Sequence, residues 1–436
     1  MRRWGYIALV ALTIGCRAAY VLPIRLAQAE NPIRSAEVEL SAISLLEKGE
    51  LGNVYHDPTG PTAHVSPLYP FIVAGIYAVF EPYSLAAMLT QSFAAMATVA
   101  ATLACLPWLA RRLGLSEWAG WLAAFALAVM PINFFYESFG DWEQPLAALV
   151  LVGLLACFLE LRKSAWQRPW LVAATGLLTG IAALLSPSLV PAVGLMILAE
   201  FAWPTAPRKR ILAGAAAIVT LTALCITPWM VRNYHALGGF VPLRSNFGLE
   251  LWFGNRADAT GSSNVDWSDP DMSAKMRHPH PNADECRRLQ EMGELAYMKE
   301  RQHEALHWIG ANPGRFVELT GTRFRMFWFP GREMFNNASL STTIKIIGFG
   351  AISALMFFTL IRMALYRHAA AGLLTAALFG STFIYLITHV ELRYRLPVHA
   401  LSGLLAAEAV VCVFLWLRGR TAVVRDPAEK AEVTAR

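Results

Sequence analysis

The sequence predicts an all-α protein that crosses a membrane many times, and three observations carry that prediction. The chain is 56% hydrophobic and only 16% charged, against roughly 25% charged for a soluble domain, and its mean hydropathy is +0.42. Apolar runs long enough to span a bilayer recur along the 436 residues. Much of the basic charge falls in the short links between those runs. The net charge of +6 is therefore explained by membrane topology, and a nucleic-acid partner is not implied.

About ten spans are expected: 4–23, 84–110, 118–136, 144–161, 170–186, 188–203, 210–229, 343–363, 370–388 and 397–417. The break between the fifth and sixth rests on Pro187 and Pro191 in "SPSLVP", which end or kink a helix. The start of the chain is expected to be a retained first span, because Arg17 and Arg25 interrupt the pattern of a cleaved leader. With the N-terminus inside, the inner links hold Arg2 and Arg3, Arg111 and Arg112, Arg162, Lys163 and Arg168, "RKR" at 208–210, Arg362 and Arg367, and "RGR" at 418–420. The short outer link near 137–143 has no lysine or arginine. This is the positive-inside pattern. It implies a multi-pass membrane protein with both termini on the cytoplasmic side.

The expected organisation is an N-terminal membrane module, 1–229, whose first outer segment is 24–83; an outer region, 230–342; C-terminal spans, 343–417; and a cytoplasmic tail, 418–436. "NRADATGSSNVDWSDPD" reads as loop. The stretch "HEALHWIGANPGRFVELTGTRFRMFWF" reads as helix lying against the membrane or covering a cavity. Five of the six cysteines lie in apolar runs, and no pair looks like a disulfide framework or a metal site. No nucleotide-binding glycine loop is present. Chemistry in such a chain has to come from the membrane–water boundary.

Acids and bases gather on the expected outer side. Glu37 and Glu39 open an amphipathic pattern, Leu40, Ile43, Leu46; two apart, they point in different directions on a helix, so only one need face a cavity, and both also suit a solvated helix start. "FFYESFGDWEQPLAAL" places Glu137, Asp141 and Glu143 in one short link. They can be caps, or they can hold Mg2+ or Mn2+ together with an anionic substrate, although no metal-specific spacing is present. Arg232, Arg244, Arg393 and Arg395 lie close to the same surface, where guanidinium groups bind phosphate bidentately or anchor to lipid headgroups. Arg17, inside the first apolar run, needs an anionic partner such as a phosphate if it faces a cavity, and can simply snorkel if it lies close to the outer surface. His64 and Tyr69 in "AHVSPLYP", Asn233, and Glu391 complete the candidates.

The chain resembles bacterial membrane glycosyltransferases of the GT-C type, in the broad group called glycosyltransferase family 39-like or dolichyl-phosphate-mannose-protein mannosyltransferase-like, which includes aminoarabinose transferase-like proteins. The resemblance rests on "SPLYPFIVAGIYAVF" (66–80), "WLVAATGLLTGIAALLSPSLV" (170–190), "TPWMVRNYHALGGFVPLRSNFGLELWFGN" (227–255) and "ELRYRLPVHA" (391–400), and on their order. It implies a GT-C fold and a polyprenyl-phosphate-linked sugar donor. It also implies a glycan, lipid or protein acceptor, and an active site open to the outer face. An acidic residue of the first outer loop is then the general base or orients the acceptor. By position Glu37 is the first choice and Glu39 the second, although the family more often has aspartate there. Asp141 and Glu143 match a region that often carries an acid, Arg393 and Arg395 match the arginine-rich approach to the last helices, and Arg232 and Asn233 match an outer "PW..RN" segment. The family usually inverts the anomeric centre. A lipid-linked oligosaccharide transferase or polymerase is the neighbouring alternative. A transporter is the other, but no convincing repeat of the kind many transporters carry is visible.

Overall fold

A computed structural model describes residues 2–30, 37–55, 57–262, 277–335 and 339–419. Among them there is no strand, only isolated bridges at Gly52–Pro61 and Ser262–Val390. The tail from 420 onward and the turn-rich loop beyond 262 lie outside the described residues.

The helices of the main bundle are α1 (Arg2–Glu30), α4 (Leu85–Arg112), α5 (Glu117–Val129), α7 (Gln144–Lys163), α8 (Pro169–Leu185), α9 (Val190–Ala202), α10 (Arg208–Leu237), α15 (Leu340–Leu365), α16 (Ala371–Gly380) and α18 (Leu396–Leu417). Six of them, α1, α4, α7, α10, α15 and α18, are long and apolar enough to cross a membrane, and the chain is a multi-pass membrane protein. The other four match expected spans; α8 keeps the expected length, and the other three come out shorter. The expected 118–136 stops at Val129 because Pro131 disfavours helix in the residue before it. The expected 370–388 divides into α16 and a short α17 (Phe383–Ile387). Gly380, at that break, lies against α9: a Cβ there would stand 2.4 Å from the Ala192 Cα. The predicted break near Pro187 is present as a 3-10 turn, Pro187–Leu189, between α8 and α9.

α18 is apolar on all sides and nearly every residue from Leu396 to Ala409 is buried, as a helix at the centre of a bundle requires. α5, α7 and α15 pack around it, α1 lies on α4, and α8 lies between α7 and α10. The basic links meet at one end of this bundle. Arg112 pairs with Glu160 at 2.9 Å, Arg162 pairs with Glu200 at 2.7 Å, and Arg210 donates to the Ala165 carbonyl at 3.1 Å.

At the opposite end, a second apolar core joins α2 (Glu37–Lys48), α3 (Leu68–Val79), α11 (Phe247–Gly254), α12 (Ala283–Met292) and α13 (Glu294–Ala311) through Val38, Ala42, Tyr77, Leu249, Trp252 and Tyr297. α6 (Phe134–Ser138) and α14 (Pro313–Trp328) complete the helices. The site lies where this outer layer meets the ends of α7, α8 and α18.

Candidate active site

A cavity of about 680 Å³ opens between the outer layer and the bundle, and Glu37, Tyr69, Glu143, Arg244, Glu391 and Arg393 are among its walls. Helical geometry separates the two acids of α2. Glu37 faces the cavity. Glu39, two residues on, is buried on the other side, where the Tyr77 hydroxyl donates to it at 3.1 Å. Burial first, and then the nearby Asp141, push the Glu39 carboxyl up to about 7, against the opposing pull of Tyr77 and Arg25. Glu39 is thus a buried partner of α3 and not a wall of the cavity.

Glu37 is clamped. Its Oε1 lies 3.5 Å from Nε2 of His64, whose ring is 1% exposed, and the Tyr55 hydroxyl lies 3.2 Å from the other ring nitrogen. Burial alone would raise the Glu37 carboxyl, but the His64 imidazole, with His278 and His280 farther out, holds it well below the usual carboxylate range. Burial works against protonation of His64, yet Glu37 outweighs it and the imidazole is raised above its ordinary 6.5. The two form a carboxylate–imidazole pair. His278 answers mainly to burial, which brings it down to about 4, so it stays neutral at pH 7.

His64 also fixes a cation. Arg244 Nε donates to the His64 carbonyl at 2.7 Å, and the two terminal nitrogens of Arg244 have no hydrogen-bond partner among the described residues. An anchored guanidinium with an open fork in a cavity wall is suited to a bidentate anion.

The second outer link is pinned before it reaches the cavity. Gly140 has φ +75°, and a Cβ there would stand 2.5 Å from the Gln91 carbonyl oxygen, so the residue has to be glycine. The Tyr69 hydroxyl donates to the Gly140 carbonyl at 2.6 Å, and Arg25 pairs with Asp141 at 2.7 Å. This carries Trp142 beneath Arg393, whose guanidinium carbon is 4.0 Å from the ring centre, and turns Glu143 into the cavity. Arg393 Nε pairs with Glu391 at 2.7 Å. His389 stands between Glu250 at 3.5 Å and Glu391 at 3.8 Å.

Several expected site residues lie elsewhere, each for a visible reason. Arg395 follows Arg393 by two positions in a 3-10 turn, Leu392–Arg395. It points into the bundle, where it donates to the carbonyls of Phe327 at 2.6 Å and Trp328 at 2.9 Å and to Ser353 Oγ at 3.0 Å. Arg17 has its anionic partner in Glu137, so neither reaches the cavity. Asp141 is held by Arg25. Arg232 ties down the first outer segment through the carbonyls of Thr62 at 2.6 Å and Leu51 at 2.5 Å. Asn233, fully buried, donates to the Val241 carbonyl at 3.0 Å. Conversely Trp142, Glu250, His278 and His280 line the cavity and were not singled out from the sequence. "RHPHP" around the two histidines was the available signal.

Among the described residues the expected Mg2+ or Mn2+ finds no matching ligand set. Two of the three acids of the second link are engaged by arginines, and among the described residues no three His, Cys, Asp or Glu side chains converge to hold a metal ion.

The chain has the GT-C membrane fold. No protein-family model matches the chain, and no curated protein matches it in sequence. It is similar to the oligosaccharyltransferase AglB of Archaeoglobus fulgidus in complex with an inhibitory peptide and a dolichol-phosphate, with a TM-score of 0.54 and 14% identity over 96% of this chain and 52% of that one. It is also similar to the apo form of the A. fulgidus oligosaccharyltransferase, with a TM-score of 0.55 and 13% identity over 94% of this chain and 50% of that one. A complex of the same enzyme with zinc and sulfate gives 0.54 and 14%, over 96% and 50%. The chain spans about half the length of these proteins.

Proposed function

We propose that this protein transfers a glycan from a polyprenyl-phosphate-linked donor to an acceptor at the outer face of the membrane. One observation carries the reading: a carboxylate clamped to a buried imidazole, Glu37–His64, shares a cavity with two guanidinium groups, Arg244 and Arg393. Breaking the anomeric carbon–oxygen bond builds negative charge on the departing phosphate and positive charge on the sugar ring. Fixed guanidinium groups favour the first charge and a fixed carboxylate the second. A single displacement of this kind inverts the anomeric centre. Arg244 is the better phosphate ligand of the two, because Arg393 already shares its charge with Glu391.

The likeness to oligosaccharyltransferases, one of them solved with dolichol-phosphate and another tethered to an acceptor peptide, supports a lipid-linked oligosaccharide donor ahead of a single-sugar donor. The family 39-like segments support the single sugar. Both readings use the same phosphate contacts. The basic end of the bundle supports a cytoplasmic placement of that end, with the cavity facing outward.

Arg244→Ala in the purified protein is expected to weaken binding of polyprenyl phosphate about 10- to 100-fold, the range for losing charge-assisted hydrogen bonds of roughly 1.5–3 kcal/mol. Arg244→Lys is expected to recover part of it, since the charge remains and the fork is lost. Unchanged affinity in Arg244→Ala and in Arg393→Ala would remove the phosphate from this cavity.

A further inference from the structure

Pairing accounts for most of the charge in the cavity wall. Glu37 is held by His64, and Glu391 is held by Arg393. Glu143 stands apart. It is 9% exposed, it opens onto the cavity, and no other side chain among the described residues bonds to it. Its position at the start of α7 suggests a helix cap, but its side chain makes no capping hydrogen bond to the helix that follows. Among the groups that act on its charge, the cations are Arg244 and then Arg393, and Glu37 acts from α2. Tyr69 faces it from α3 and Tyr385 from α17. The carboxylate accepts from its own backbone N–H and, among the described residues, from no side chain; it therefore sits beside the two guanidinium groups assigned above to the donor phosphate.

We propose that Glu143 meets the donor phosphate as a neutral acid, so that a lipid phosphodiester enters the cavity together with one proton. This rests on the donor reading above. A phosphodiester bound to Arg244 and Arg393 brings an anion next to a buried carboxylate. Two like charges sharing a desolvated site do not both stay ionised, and of the two only the carboxyl takes up a proton at accessible pH. Burial already raises its pKa. Once protonated, Glu143 turns from a repelling charge into an O–H donor to a phosphate oxygen. That bond strengthens as charge builds on the departing phosphate. A buried carboxylic acid kept neutral as a hydrogen-bond donor is an established catalytic device.

The test is calorimetric titration of the full-length protein with farnesyl phosphate methyl diester, a probe whose single charge stays fixed across the working pH range. It is run in buffers of different ionisation heat and at several pH values. The expected result is uptake approaching one proton per ligand. Affinity then falls tenfold per pH unit between the free and bound titrations of Glu143. Glu143→Gln, a neutral isostere whose amide still donates, is expected to bind without that proton uptake and with a flat pH dependence, and Glu143→Ala to bind more weakly than Glu143→Gln. Wild-type binding without proton uptake, or the same uptake in Glu143→Gln, would overturn the proposal and leave the donor reading standing. Failure of the wild type to bind the diester at any pH would overturn the donor reading itself.

Discussion

Glu37→Gln is expected to lower the rate of transfer by about 10²- to 10⁴-fold while leaving lipid-phosphate affinity within a fewfold of wild type. Glutamine keeps the shape of the side chain and removes the charge that the proposed mechanism places opposite the sugar ring. The companion variant, Glu39→Gln, is expected to stay close to wild type, because Glu39 faces Tyr77 and its carboxyl titrates near 7. Steady-state transfer from a lipid-phosphate donor separates the two, and full activity in Glu37→Gln with loss in Glu39→Gln would reverse the assignment. The pH dependence has a defined sign. The carboxyl of Glu37 is lowered by folding, so its contribution holds above the ordinary carboxylate value and is lost as pH falls through the depressed one. His64 is raised, so its contribution is complete below 6.5 and is lost as pH rises through the raised value. Stability, and transfer at saturating donor, are therefore expected to decline on the alkaline side as His64 loses its proton, and His64→Ala is expected to remove that limb of the profile.

The contrast between these two acids shows what the sequence could settle. A spacing of two on a helix requires that one side chain turn away from whatever the other faces, and that much was legible. Which one turns inward depends on where α3 and the His64 segment pack against α2, and those contacts are distant in sequence. Arg393 and Arg395 pose the same problem in a harder form. They lie in a four-residue 3-10 turn, too short to show a face, and the carbonyls that receive Arg395 come from the end of α14. Span positions were readable because apolar length is a local property. Their true ends were less so: Gly380 stops α16 against a backbone contributed by α9, which no pattern within 370–388 records. Trp142 escaped notice because its partner is Arg393, some 250 positions later.

The largest expected effect on stability comes from the Arg17–Glu137 pair. Arg17 has no solvent exposure and Glu137 has 8%. Arg17 Nε donates to Glu137 at 2.9 Å, and its terminal nitrogens donate to the carbonyls of Ala128 at 3.0 Å, Leu127 at 3.2 Å and Thr13 at 3.2 Å. One guanidinium thus neutralises a buried acid, closes the C-terminal end of α5 and joins α1 to both. Arg17→Met is expected to destabilise the fold by about 3–5 kcal/mol, the range for leaving one member of a buried pair uncompensated. Glu137→Leu is expected to cost a similar amount, since it strands the guanidinium. The double variant removes both charges and is expected to recover much of the loss. It stays below wild type because the Leu127 and Ala128 carbonyls remain without their donor, at about 1–3 kcal/mol for each buried group left unsatisfied. Thermal unfolding in detergent, arranged as a double-mutant cycle, measures this directly, and an Arg17→Met protein as stable as wild type would end the structural account. The folded double variant decides the functional question as well. If Arg17 acts only within the bundle, that variant binds polyprenyl phosphate as wild type does; if it has lost that affinity, the donor phosphate reaches deeper than the cavity described here.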